Sequence, residues 1–360
     1  VKLNTNPAGA NITINSKALK QKTPYQLENI KTGPIKVEYQ KDSYHNWSSN
    51  FTVEGGVVTF ADYALLIPKV IEPKQIDSSI QISGFISNND NSKLFAVSDI
   101  SSQINEVQRN FQLKKIVDLP PNASLKTPNK ISESSTNDDG SAIISKAGYP
   151  DSKPVRFWVG VGSGSIVNID EIAGSETKNL IISPKNFKEI FGVNSGQLVK
   201  LNVDSKNLTK LSISNINSLY IDKNYIYTLE NLNPSSNGQF LVRYDFNGNG
   251  RYVLAQYPPS NTSWSIRSAK LNNIDYLSLL NPADGSLFVV KNDGQKITSS
   301  LVGIGVSNSE FSQSARFISF SQNNNLRTID IEFIERFSKP VNSIVSIHWF
   351  TKFSIIKLMA

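Results

Sequence analysis

Two histidines, no cysteine and a scatter of carboxylates are all that this chain offers for chemistry. Without cysteine there is no thiol nucleophile, no thiolate metal ligand and no disulfide framework. His45 lies in a Tyr44–Trp47 turn and His348 in a terminal strand beside Trp349. No Gly-x-Ser-x-Gly elbow appears, so a serine triad lacks its parts, and imidazole metal sites are equally short of ligands. Asp99, Asp170, Glu189 and Glu230 are the acids from which a glycoside-hydrolysing pair would be drawn. Two carboxylates far apart in sequence can meet across a leaving group and an attacking water. They read equally as turn acids and solvent-facing groups. The chain is therefore read as non-enzymatic, with no catalytic residue, cofactor or metal.

Two short motifs resemble ligand loops and are better read as turns. Asp245-Phe246-Asn247-Gly248-Asn249-Gly250 has the opening half of a calcium loop, but the twelfth position is Gln256 and no helices flank it. Gly160-Val161-Gly162-Ser163-Gly164 sits between two strands, whereas a phosphate cradle needs amides aimed by a helix N-terminus. Tyr44 and Trp47 are the candidate binding residues. At a turn tip their rings would stack on a sugar or a partner protein; packing on the sheet is the competing role.

The elements that must position these residues alternate at period two. Asn11-Ile12-Thr13-Ile14-Asn15, Leu27 to Ile30, Ile35-Lys36-Val37-Glu38-Tyr39, Phe51-Thr52-Val53 and a run from Val57 to Ile67 are separated by turn residues. The gaps include Lys22-Thr23-Pro24, Gly33-Pro34 and Gly55-Gly56. This predicts a small antiparallel β-sandwich without a helix. The order of features, opening on Asn6-Pro7-Ala8-Gly9-Ala10, resembles the PEGA domain of bacterial and archaeal surface proteins. Ala8 stands where the name-giving motif has Glu. The resemblance implies a non-catalytic attachment or spacer module on an envelope-exposed chain.

A length of 360 residues calls for more than one small sandwich. Hydrophobic residues at 39% suffice for packed cores. The net charge of +7 comes from dispersed Lys and Arg without the clustering that a phosphate backbone requires, so nucleic acid is not an expected partner. No run of 18 apolar residues spans a membrane. Because the sequence opens on Val1 and its one methionine is Met359, a signal peptide or membrane anchor is expected upstream.

Glu72-Pro73-Lys74 marks a connector, giving a sandwich over 1–69, a linker over 70–76 and a second domain over 77–360. There, strong strands recur. Gln197 to Gln239 is 42 residues, Gln239 to Ser286 is 47 and Ser286 to Leu326 is 40, close to a propeller blade. Within one period four strands can be named, at 218–221, 225–229, 240–245 and 251–256, and again at 264–269, 275–279, 287–291 and 296–300. Asn237-Gly238, Asn247-Gly248, Asp284-Gly285 and Asp293-Gly294 supply hairpin turns. Leu180-Ile181-Ile182-Ser183-Pro184-Lys185-Asn186 before Glu189-Ile190-Phe191-Gly192-Val193 resembles the strand–SPDG–strand signature of TolB-like and WD-type propellers, with Lys-Asn in place of Asp-Gly. Phe317 to Asn323 is a looser copy. A propeller of six or seven blades is expected, truncated or closed by an early strand near Ile80–Ile82. Lys93 to Val155 spans 62 residues, which predicts a loop insertion across Pro120–Gly140.

The expected function is a non-enzymatic cell-envelope binding or scaffold protein, extracytoplasmic and anchored by an upstream segment. The small module serves as stalk or adaptor, and the propeller presents a surface to an envelope protein or cell-surface glycan. The alternative is a propeller carbohydrate-active enzyme using channel carboxylates.

Overall fold

Period-two alternation becomes strands throughout. One four-residue helix, α1 (Asp170–Ala173), is the only α-helix among the described residues. The computed structural model describes residues 1–70, 80–88, 92–98, 102–108, 110, 112–121, 130–137, 139–150, 152–231, 238–312, 315–331, 335–340, 346–351 and 354–358. The Glu72-Pro73-Lys74 connector, Asp99, Asn237 and Met359 lie outside these residues. The chain divides into two compact units: Val1–Gln75 with Ile334–Ser338, and Ile76–Phe333 with Lys339–Ala360.

The first unit contains seven strands: β1 (Lys2–Asn6), β2 (Asn11–Ile14), β3 (Lys17–Lys22), β4 (Tyr25–Gln26), β5 (Gly33–Gln40), β6 (Trp47–Val53) and β7 (Phe60–Leu65). They form two sheets, β4-β1-β7 and β3-β2-β5-β6. Pairing is not antiparallel throughout. β1 and β7, the first and last strands, run parallel with a register shift between Leu3 and Thr5. The intervening chain is long enough to make the crossover that parallel pairing demands. Residues 27–30 form no strand; Leu27 and Ile30 instead pack partly buried against the core. Along β5 the alternation sends Ile35, Val37 and Tyr39 inward, each fully burying about 1.5–3 kcal/mol of apolar side chain. The Tyr39 hydroxyl donates to the Ala61 carbonyl at 2.6 Å, tying one sheet to the other.

The second unit repeats a four-stranded antiparallel sheet. β8–β11 are Gly84–Ser87, Leu94–Ser98, Gln103–Val107 and Leu113–Asp118; β12–β15 are Lys130–Thr136, Ala142–Tyr149, Ser152–Gly160 and Ile166–Asn168. β16–β19 are Lys178–Ile182, Glu189–Asn194, Gln197–Asn202 and Asn207–Lys210; β20–β23 are Ile216–Ile221, Ile226–Glu230, Gln239–Tyr244 and Tyr252–Tyr257. β24–β27 are Ser265–Leu271, Ile274–Leu280, Leu287–Asn292 and Ile297–Gly303; β28–β30 are Val306–Phe311, Phe317–Gln322 and Asn325–Asp330, followed by β31 (Glu335–Pro340), whose residues up to Ser338 count with the first unit. A seventh sheet pairs β32 (Ser346–Thr351) with β33 (Ser354–Leu358).

Ring geometry follows from which strands touch. The first strand of each sheet packs on the first strand of the next, from β8 through β12, β16, β20, β24 and β28 to β32, and β32 returns to β8. The ring of seven blades is therefore closed by packing. β8 begins just after Ile80–Ile82, the segment expected to close it. Second strands are buried on both faces, as in β9 and β21, while the outermost β19 is exposed along its length. That gradient is what stacked sheets around an axis require. Gly285 shows the turn chemistry: its φ is +70°, and an added Cβ would lie 2.5 Å from the Val306 amide nitrogen.

The expected insertion is corrected. Third strands begin at Gln103, Ser152, Gln197, Gln239, Leu287 and Asn325, spaced by 49, 45, 42, 48 and 38 residues. Lys93 immediately precedes a second strand, so counting from it to Val155 in a third strand inflated the interval. Residues 122–129 lie outside the described residues; within Pro120–Gly140, Lys130–Thr136 is β12, the inner strand of the second blade. Its Ser-rich sequence lacks apolar alternation and does not advertise a strand.

Candidate ligand-binding site

The first unit places its two candidate residues differently. Trp47 opens β6 directly opposite Tyr39 of β5. The rings stack at 5.2 Å, Phe51 lies at 6.3 Å, and Trp47 is 3% exposed. A ring this deep has no face left for a sugar. Tyr44 is half-buried against the same core, and its backbone bridges to Pro68. His45 is exposed, and its amide donates to the Ile67 carbonyl. Tight-turn residues thus act as the last clamp before β6 rather than as a loop tip.

The loop around Ala8 is held by a buried hydroxyl pair. Thr5 Oγ1 and Thr23 Oγ1 lie 2.6 Å apart; Thr23 Oγ1 accepts from the Ala10 amide, and Thr5 Oγ1 reaches the Pro7 carbonyl at 2.7 Å. Ala8, exposed where the motif has Glu, offers its carbonyl to Lys41 Nζ at 2.7 Å.

In the propeller the described candidate acids are engaged within the fold. Asp170, at the start of α1, receives the Arg156 amide at 2.9 Å and Arg156 Nε at 2.6 Å. Arg156 also donates to the carbonyls of Gly174 and Thr177, so one guanidinium fastens the connection between the second and third blades. Glu189 lies 3.7 Å from Lys200 Nζ. Glu230 is 1% exposed and accepts from Thr228 Oγ1 at 2.8 Å, the Tyr244 hydroxyl at 2.6 Å and Arg251 Nη2 at 3.2 Å. Burial and the neighbouring carboxylate push the Tyr244 phenol up, and a buried charge needs such partners.

One further carboxyl stands apart. Glu310 of β28 lies 3.8 Å from Arg267 Nε of β24, on adjoining inner strands. Burial pushes its carboxyl up to about 6, and Arg267 only partly offsets this. Sequence reading passed over both residues because neither sits in a motif.

Both loop motifs are hairpin turns. Asp245 Oδ1 accepts from the amides of Asn247 and Asn249 at 2.9 and 2.8 Å, so the carboxylate serves its own turn between β22 and β23. The Gly160–Gly164 segment joins β14 to β15, with the Gly164 amide bonded to the Gly160 carbonyl at 2.8 Å. Among the described residues no group of three or more His, Asp or Glu side chains is placed to hold a metal ion. None of their helices is long and apolar enough to cross a membrane.

A different set of side chains is brought together where β20 begins. The register of β20 shifts between Ile216 and Ser218, so Asn217 is bulged and its side chain re-aimed. Asn217 Nδ2 lies 3.0 Å from the carbonyls of Ser260 and Thr262 and 3.4 Å from Gln239 Oε1. Its own carbonyl accepts from Ser263 Oγ at 2.7 Å and Asn179 Nδ2 at 3.2 Å. Ser218 Oγ accepts the Trp264 amide at 2.7 Å. One asparagine therefore joins three blades at one end of the ring, in a cluster of uncharged donors and acceptors. In a chain this rich in Asn and Ser, nothing in the sequence singles it out.

Comparison with known proteins agrees with this architecture. The PEGA domain family matches residues 1–66. Among solved structures, the β-propeller domain of Cps50 (Swd1) from Myceliophteria thermophila superposes with a TM-score of 0.52 at 10% identity, covering 77% of this chain and 93% of that one. KlAtg21 in complex with the coiled coil of AgAtg16 gives 0.51 at 11% identity, over 77% of this chain and 92% of that one. At such identities the likeness is one of fold. No curated protein matches the chain by sequence. The chain thus carries a PEGA domain over residues 1–66, followed by a seven-bladed β-propeller.

Proposed function

We propose that this chain is a non-enzymatic binding or scaffold protein of the cell envelope. In this reading the PEGA domain serves as an extracytoplasmic stalk or adaptor, and the propeller holds one end of its ring toward an envelope protein or glycan. The observation that supports it most is the state of the acids: Asp170, Glu189 and Glu230 each hold a cation of the same fold. A rigid ring of sheets with these acids already paired suits presentation of a surface better than proton transfer.

Protease shaving of intact cells, followed by fractionation, tests it. The chain should sediment with the envelope and be cut from outside; recovery in the cytosol, protected from protease, overturns the proposal. What favours the second reading, a carbohydrate-active enzyme, is Glu310 on an inner strand, loosely held 3.8 Å from Arg267, with its carboxyl pushed up to about 6 by burial. Release of reducing ends from envelope polysaccharide by the wild-type chain but not by Glu310→Gln would establish it.

A further inference from the structure

The turn between β22 and β23 carries two Asn-Gly pairs in succession, Asn247-Gly248 and Asn249-Gly250. With no Cβ beside it, a glycine amide nitrogen can reach the side-chain carbonyl of the asparagine before it. Local sequence does not separate the two pairs, because glycine follows in both. The fold does. The Gly248 amide donates to the Asp245 carbonyl at 3.0 Å. The Gly250 amide and the Asn249 side chain have no hydrogen-bond partner among the described residues, and both residues are exposed. The Asn249 backbone is nonetheless held on both sides: its amide donates to Asp245 Oδ1 at 2.8 Å, and its carbonyl accepts from the Asp245 amide at 2.9 Å. A fixed stretch of backbone thus carries an unengaged nitrogen beside an unengaged side-chain amide.

We propose that Asn249 is a self-modification site, deamidating spontaneously with water as the only co-reactant, and that the product loosens the hold of Arg251 on Glu230. The Gly250 nitrogen gives up its proton and attacks Asn249 Cγ. The new N–C bond replaces the Cγ–Nδ2 bond, and ammonia leaves with that proton. Water then opens the cyclic imide at either carbonyl, which gives aspartate or isoaspartate at 249. At Asn247 the same attack must first break the Gly248 hydrogen bond, so it runs slower by about fivefold, the rate equivalent of one such bond. Either product puts a new carboxylate two residues from Arg251, whose Nη2 lies 3.2 Å from Glu230 Oε2. Isoaspartate also adds a backbone carbon between Asp245 and Arg251, which shifts the bonds that Asp245 and Asn249 exchange. Arg251 is exposed and Glu230 buried, so the guanidinium is the partner that moves. The reaction is independent of the binding role.

Ageing the intact chain in mildly alkaline buffer, with peptide mapping by mass spectrometry at intervals, tests the proposal; fragment ions place the new acid at 247 or 249. In the folded chain Asn249 should convert about fivefold faster than Asn247, and in urea, where the Gly248 bond is gone, the two should convert at equal rates. No conversion at Asn249, conversion at Asn247 as fast or faster in the folded chain, or the same ratio in urea overturns the site. The denaturant midpoint of the propeller transition reads the consequence. It should fall as the wild-type chain ages and hold in aged Asn249→Gln, while Asn249→Asp, which carries the product's charge from the start, should begin at the lower value. An unmoved midpoint in a chain largely converted at 249, or an equal fall in Asn249→Gln, overturns the link to Glu230.

Discussion

Replacing Trp47 with alanine should unfold the PEGA domain rather than erase a contact surface. The indole is 3% exposed and stacks on Tyr39, whose hydroxyl ties the two sheets together. Burying an aromatic of roughly 200 Å² at about 25 cal/mol per Å² stabilises by about 5 kcal/mol, and truncations of this kind cost about 3–5 kcal/mol. A unit of this size holds about 4–10 kcal/mol in total, so Trp47→Ala leaves little or nothing. Hydrogen exchange on the intact chain, read strand by strand, measures this directly. A loss of about 4 kcal/mol lowers protection of β2, β5 and β6 by about a thousandfold, while the propeller strands keep theirs. Tyr44→Ala, at a half-buried edge, should cost about 1–2 kcal/mol in the same strands. Unchanged protection of β5 and β6 in Trp47→Ala, together with lost envelope binding, would refute the reasoning and return Trp47 to a ligand-contacting role.

Two further outcomes follow from the propeller's charges. Arg251→Ala deprives buried Glu230 of its cation; because Arg251 is itself 41% exposed, the cost is discounted to about 1–2 kcal/mol, read as a lower denaturant midpoint of the propeller transition. Glu310 gives a pH signature. Its folded carboxyl lies near 6, above its ordinary 4.5, so the native state binds the proton more tightly than the unfolded chain does. Stability should therefore fall as pH rises from about 4.5 through 6, by about 2 kcal/mol. Melting curves at pH 5 and 7.5 should show this, and Glu310→Gln should remove most of the difference; an unchanged pH slope in that variant would mean other groups set it.

Legibility tracked how local the signal was. The blades containing Asn247-Gly248, Asp284-Gly285 and Asp293-Gly294 were readable because a hairpin needs positive φ within two residues, and strand alternation spans only a few more. The β12 strand was missed because Lys130–Thr136 carries no apolar alternation; its pairing with β13 comes from the neighbouring strand's demand for hydrogen bonds. For Trp47 the sequence offered packing on the sheet beside a turn-tip role, and the buried stack on Tyr39 is the packing alternative; a few residues of turn decide between them. The Glu310–Arg267 pair, separated by 43 positions, had no motif to announce it.

Alternation and turn dipeptides, which act over ten residues or fewer, determined on their own that this chain is β throughout, with a PEGA-like start and a blade-length repeat. Tertiary structure decided the rest: the count of seven and its closure by β32 on β8, the pairing of Asp170, Glu189 and Glu230, and the gathering of Asn179, Ser260, Thr262 and Ser263 around Asn217. Those outcomes depend on which sheets stack, and stacking is set by buried surface contributed from segments tens of residues apart.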